Sequence, residues 1–213
     1  MLLSVPFLSG IDRHTDLDTI SMLLNAAPQH QLTYVPWPNY AYHPEVYFTI
    51  AYSSDAVLLQ FRVREKQIRA VNSTPQSPVY QDSCVEFFIS FDNEPAYYNF
   101  EFNCIGANLS GYGTGRADRK MLPIDIIKQI RYQAQISNAN HSDLISWQLT
   151  LAIPFTAFHF HTITSLQGRH AWANFYKCGD ELSEPHFVAW SNIQWPEPNF
   201  HLRECFGAIE FKV

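Results

Sequence analysis

Residues 84–105 carry the pattern that most constrains how this chain folds. In CVEFFISF (84–91), Val85, Phe87, Ile89 and Phe91 alternate with Cys84, Glu86, Phe88 and Ser90. Successive side chains of a strand point to opposite faces, so the first set makes one continuous apolar face. Asp92-Asn93-Glu94-Pro95 is a turn signal. The stretch 96–105 then alternates again, with Tyr98, Phe100, Phe102 and Cys104 on one side and Asn99, Glu101 and Asn103 on the other. Pairing Phe91 with Ala96 sets Val85 against Phe102, Phe87 against Phe100 and Ile89 against Tyr98. A slip of one residue would mix the faces. The same register puts Glu86 beside Glu101, with Asn99 and Asn103 alongside. Like charges directly opposite cost about 0.2–1 kcal/mol at an exposed pair. A cation, a proton, a ligand or solvent must offset that cost. The second face therefore reads as a polar surface framed by aromatics, not as a second core.

Further strands fit 46–52, 56–64, 130–136, 145–153, 171–177, 187–191 and 207–213, separated by turn residues. Residues 16–26 read as a helix capped by Asp16, with Ile20, Leu23 and Leu24 as its apolar stripe. Residues 34–44 (YVPWPNYAYHP) read as irregular, and 154–158 as a short helical turn at most. Many short strands with no repeat and no linker predict an all-β fold, an antiparallel, jelly-roll-like β-sandwich with one or two short helices. The 213 residues suit one domain, with 1–45 as an N-terminal helix and irregular extension. Hydrophobic residues make up 46% of the chain, which suits a globular fold. A net charge of −6 and no basic run argue against nucleic acid or an anionic membrane as partner. No apolar stretch is long enough to span a bilayer. The opening MLLSVPFLSGIDRH lacks a basic segment and is broken by Pro6, so a cytoplasmic location is expected. Cys84, Cys104, Cys178 and Cys205 form no CxxC pair and are expected to be reduced thiols.

Aromatics make up 15% of the chain: 16 Phe, 11 Tyr and 5 Trp. Aromatic rings beside carboxylates and amides suit a sugar, whose C–H faces stack on rings and whose hydroxyls take polar partners. Tyr80, Trp37, Trp190 and Trp195 are the candidate platforms. Trp37 and Trp195 adjoin prolines, where packing of loops is the simpler role.

Tyr80 to Ile89 reads aromatic-x-Asp-Ser-x-Val-Glu-Phe-Phe-Ile, which resembles the signature strand of carbohydrate-binding module family 9. WQLTLAIPF (147–155) and ANFYKCGDELSEPHFVAWSNIQWPEPNFHLRECFGAIEF (173–211) resemble the same family in order and spacing. The resemblance runs from about residue 46 to the end. It implies a β-sandwich that binds the end of a saccharide without cleaving it. Two aromatics clamp the sugar ring, and carboxylate, amide and basic groups bind its hydroxyls. Carried over, Tyr80 and Trp190 match the aromatics and Glu86 the carboxylate. Tyr80 stands where the better-known modules have Trp. Glu101, Asn103, Arg116 and Asn174 complete the expected ligand-binding set. The family also implies association with a glycoside hydrolase. Some relatives hold structural calcium, but this chain has no D-x-D-x-D-G spacing, and no cofactor is expected.

Other readings stay open. Glu86 and Glu101 could act as the carboxylate pair of a glycoside hydrolase, since cross-strand spacing permits the separation of about 5–5.5 Å that a retaining enzyme needs. A related sandwich could bind another small ligand. His159 and His161 share a strand face but have no acidic or cysteine partner to make a metal set. GYGTGR (111–116) has phosphate-loop glycines without the Lys-Ser/Thr that follows them, and reads as a flexible turn from which Arg116 reaches a ligand. Asp180, Glu181 and Glu184 read as solvated. Asn174 and Lys177 lie on opposite faces of one strand. Arg203 and Glu204 read as a surface pair.

Overall fold

The computed structural model describes residues 2–138 and 143–213. Chain order runs β1 (Leu2–Val5), α1 (Leu17–Ala26), β2 (His30–Gln31), β3 (Glu45–Tyr52), β4 (Ala56–Glu65), β5 (Cys84–Phe91), β6 (Tyr97–Asn103) and β7 (Asn108–Gly113). It continues with β8 (Lys120–Met121), α2 (Ile124–Ile127), β9 (Arg131–Asn138), β10 (Ile145–Pro154), β11 (His170–Cys178), β12 (Phe187–Ala189) and β13 (Gly207–Phe211). Two sheets stack as a sandwich. The larger runs β1-β13-β11-β5-β6-β7-β8, with β12 also on β11; the smaller runs β2-β3-β4-β10-β9. Among the described residues no helix is long and apolar enough to cross a membrane.

The β5–β6 register is the one the alternation predicts: Val85 faces Phe102, Phe87 faces Phe100, Ile89 faces Tyr98 and Glu86 faces Glu101. The inner faces bury a core that includes Phe48, Phe61, Phe87, Phe100, Leu149, Leu151, Phe175 and Phe211. Phe48 stacks on Phe175 across the sheets at 3.7 Å between ring centroids. Asp16 caps α1 by accepting from the Thr19 backbone N–H at 2.8 Å. The helix lays Ile20 and Leu24 on Ala51, Leu58 and Ala152, on the outer side of the smaller sheet.

Three sequence expectations change. The N-terminus is not wholly helix and irregular chain: β1 runs parallel to β13, pairing Leu2 with Ala208 through Val5 with Phe211. That pairing joins the two ends of the chain, and no local pattern reports it. The glycine-rich stretch is not a flexible turn. Residues 108–113 form β7, with Gly111 opposite Asn99 and Gly113 opposite Tyr97. Third, the outer face of the larger sheet is mostly covered. Loops before β5 and after β12 lay Trp37, Val79, Ile193, Phe200, Leu202 and Phe206 over Cys84, Phe88, Tyr97 and Tyr176. This second apolar layer excludes water from Phe88 and Tyr97, which stack in parallel at 5.7 Å. Glu86 and Glu101 sit where the cover opens.

Candidate functional site

The opening is a shallow cleft of about 440 Å³, the open solvent at its mouth included. Strands β5 and β6 set its floor with Glu86 and Glu101, which are only 3% and 2% exposed. Cys178, at the end of β11, joins them. A tight turn at Val79–Gln81 delivers Tyr80. The loop after β11 docks on that turn: Asp180 N–H donates to Tyr80 O at 3.1 Å and Glu181 N–H to Gln81 O at 3.1 Å. This brings Asp180 into the cleft beside Tyr80. Phe187, at the start of β12, and the segment Pro198–His201 form the apolar wall. Phe200 is fixed by stacking on Tyr176 at 4.1 Å.

The chain from β7 to β8 supplies the cations. Arg119 Nη1 donates to Glu101 Oε1 at 2.7 Å, and Asn99 Nδ2 donates to the same oxygen at 3.0 Å. Gly113 makes this possible, because a Cβ there would lie 2.6 Å from Arg119 Cα. The glycines of GYGTGR therefore admit a closely folded turn, held by Thr114 Oγ1 donating to Asp118 Oδ2 at 2.5 Å. Arg116 lies over the Tyr80 ring, 5.6 Å from its centroid.

The two carboxyls differ in environment. Burial, and the Glu101 charge beside it, push Glu86 well above the usual carboxylate range. Its hydrogen bond from Cys178 Sγ, at 3.2 Å, offsets only part of this. Burial raises Glu101 as well, but the Arg119 guanidinium opposes the shift. The facing pair is thus unequal: Arg119 and Asn99 stabilise charge on Glu101, and burial beside that charge favours the protonated form of Glu86. Burial lifts Asp180 to about 6. His201 is pushed down to about 3 by burial and by Arg119, so its ring is neutral. Arg119 Nη1 can only donate, so His201 Nε2 accepts at 3.4 Å. The ring proton then sits on Nδ1 and faces Tyr97 Oη at 2.8 Å.

The structure thus brings Tyr80, Glu86, Glu101 and Arg116 to one cleft. It sends the other three candidates elsewhere. Trp190 is not a platform: it is 8% exposed and packs edge-on against Phe48 and Phe175 between the sheets. Gly207 leaves space for its ring, since a Cβ there would lie 2.4 Å from Trp190 Cζ3. Asn174 braces a loop, donating to Ser191 O at 3.1 Å and accepting from Ser191 N–H at 2.9 Å. Asn103 donates to Asp82 Oδ2 at 2.9 Å and accepts from Ala107 N–H at 2.9 Å. Both amides are buried and committed to their own neighbours. Asp82 is itself structural, held below the usual carboxylate range by Asn103, two backbone N–H groups and Arg69, which together outweigh its burial. Trp37 is buried and donates to Trp195 O at 2.8 Å, while the Trp195 ring is exposed outside the cleft.

Sequence reasoning missed Asp180, Arg119, Cys178, Phe187, Phe200 and His201. Asp180 is not simply solvated, whereas Glu181 and Glu184 form the exposed ion pairs expected of solvated acids, with Arg69 and Lys66. Alternation did hold one signal. If Val188 faces the core, Trp190 follows it inward and Phe187 points out.

The molecule is thus a two-sheet sandwich with a polar cleft on one outer face. The sequence profile of carbohydrate-binding family 9 matches residues 17–211, and the chain belongs to that family. The chain is 34% identical to a Bacteroides uniformis protein of presumed carbohydrate-binding function, over 99% of each chain, with a TM-score of 0.91. It also resembles in fold a family 9 module from Caldicellulosiruptor kristjanssonii solved in complex with cellotriose. That likeness covers 100% of this chain and 94% of the module, at 14% identity and a TM-score of 0.60. The same organism's module in complex with glucose gives 14% identity and a TM-score of 0.58, over 100% and 96%. No curated protein matches the chain.

Proposed function

We propose that this chain binds the end of a saccharide in the Tyr80–Phe187–Phe200 cleft and does not cleave it. One observation carries the reading. Apolar ring surface and a dense, partly unspent set of donors and acceptors converge on one opening. Tyr80, Phe187 and Phe200 supply the ring surface; Glu86, Glu101, Arg116, Arg119, Asp180 and Asn199 supply the polar groups. The protonated Glu86 carboxyl both donates and accepts, while Glu101 and Asp180 accept and the guanidiniums donate. Arg116 can swing from the Tyr80 ring to a hydroxyl, freeing that ring for the C–H face of a sugar. The glucose and cellotriose complexes of the Caldicellulosiruptor module make β-glucans the first ligands to test.

Each ring contact contributes about 0.5–1.5 kcal/mol beyond area burial, and each hydrogen bond about 0.5–1.5 kcal/mol net. After the cost of association, dissociation constants of roughly micromolar to millimolar follow. The test is calorimetry against a panel of mono- and oligosaccharides, beside an assay of reducing-sugar release. Binding that weakens in Tyr80→Ala and Glu101→Gln, with no sugar released, is expected. Turnover that disappears in Glu86→Gln would make the pair catalytic and overturn the reading, as would no binding across the panel.

A further inference from the structure

Beneath the cleft, two thiols and a carboxyl meet. Cys84 and Cys178 are direct partners across β5 and β11, and Glu86 stands two residues along β5 on the same face. Their ligating atoms all lie within 4.8 Å of one another. Neither thiol is in a disulfide. All three residues are buried, yet Glu86 and Cys178 line the cleft, which gives the cluster a route to solvent.

We propose that Cys84, Cys178 and Glu86 bind a thiophilic divalent cation, zinc being the best match, with its fourth position open to the cleft. Two sulfurs and one carboxylate are a zinc-type donor set, and an open fourth position is the mark of a zinc that takes water or a ligand oxygen. Zn–S of about 2.3 Å and Zn–O of about 2.0–2.2 Å in a tetrahedron put ligand atoms about 3.5–3.8 Å apart. The observed cluster needs about an ångström of side-chain adjustment to reach that. Two thiolates and a carboxylate exceed the metal's charge by one, and the nearest cations are already paired, Lys177 with Glu65 and Arg119 with Glu101. Calcium, which takes six to eight oxygens, does not suit this set.

Burial raises the Cys84 thiol to about 12 and Cys178 and Glu86 well above their usual values, so the metal must displace a proton from each of the three on entry. Affinity then rises with pH by up to about tenfold per unit for each proton released. Oxidation to a disulfide would consume both ligands, so the experiment uses the fully reduced chain, with its four thiols counted by titration. The protein is titrated with Cd²⁺ and with Zn²⁺ alone, following the ultraviolet thiolate-to-cadmium band and competition with a chromogenic chelator. One equivalent is expected, with a thiolate band and an affinity that climbs with pH. Cys84→Ala and Cys178→Ala should each remove the band and weaken binding by more than about 100-fold, beyond the 10–100-fold of losing an outer partner. Cys205→Ala should leave both unchanged. Circular dichroism checks that each variant is folded. No band in the reduced wild-type chain overturns the proposal, as does binding without a band, which histidines would give. A band that survives Cys84→Ala or Cys178→Ala does the same.

Discussion

Strand β11 carries two buried charge clusters on its opposite faces, and they behave differently. On the inner face, Lys177 Nζ lies 3.0 Å from Glu65 Oε2, an ion pair out of line for a directed hydrogen bond, with both side chains fully enclosed. Trp147 Nε1 donates to Glu65 Oε1 at 2.6 Å, and Lys177 Nζ lies 2.7 Å from His186 Nε2. Burial and Lys177 push His186 down to about 3. The neutral ring therefore accepts from Lys177, and its Nδ1 faces Glu184 O at 2.9 Å. On the outer face, Glu86 has the Cys178 thiol, Glu101 has Arg119 and Asn99, and a cleft opens above them. Buried charge by itself does not mark a site. The inner cluster spends its groups on one another and ties the two sheets together. The outer one keeps bonding capacity facing an opening, and that is the difference a ligand can use.

Breaking the inner cluster should have the largest effect. Lys177→Met leaves Glu65 buried without its cation and should cost about 3–5 kcal/mol in urea unfolding. A variant as stable as wild type would mean that the cluster has rearranged or admits water. Trp190→Ala should cost a similar 3–5 kcal/mol, because it truncates a core ring. Trp190→Phe should retain most of the stability and all of the saccharide binding. Binding lost in a folded Trp190→Phe protein would return that residue to the site.

The pH dependence separates the clusters by sign. Glu86 is raised in the folded chain, so the folded state holds its proton longer than the unfolded one does. Its contribution is full below the unfolded carboxylate pKa of about 4.3 and declines as pH rises toward the folded value, by up to about 1.4 kcal/mol per unit. His186 is depressed, so its contribution is full above about 6.5 and is lost as pH falls toward about 3. Denaturation midpoints of Glu86→Gln and wild type, compared between pH 4.5 and 7, should show the variant gaining relative stability as pH rises. A constant difference would mean that Glu86 is ionised in the fold. The smallest effect belongs to the cleft wall. Tyr80→Ala should weaken saccharide binding by about 0.5–1.5 kcal/mol, or roughly 2- to 13-fold by calorimetry, with unfolding nearly unchanged. Loss of stability in place of affinity would assign Tyr80 to the apolar cover.

Strands with strong alternation were legible, and β3, β4, β5 and β10 fall within a residue of the expected bounds. Helix α1, the short turn at Phe155–Ala157 and the sandwich class were legible as well, whereas α2 (Ile124–Ile127) was not among the expected elements. Of the cleft, the sequence pointed to Tyr80, Glu86, Glu101 and Arg116, with Glu101 reached through the hairpin register alone. It misjudged Asn103, Asn174 and Trp190, because a polar or aromatic side chain looks the same in sequence whether its partners are protein atoms or open space. Arg119 and Asp180 were invisible for the opposite reason: they arrive by loop closure onto strands distant in sequence.

What this sequence determined by itself is periodic and local. The two-residue alternation of 84–91 and 97–103 fixes the faces, and bringing apolar faces together fixes the register that sets Glu86 against Glu101. Tertiary structure alone decided which face a loop would cover. The segments around Trp37, Val79 and Phe200 close over most of the outer sheet and stop short of Glu86. That boundary depends on contacts between residues more than a hundred positions apart, whose burial no local pattern encodes. It separates a carboxylate sealed like Glu65 from one that faces a cleft.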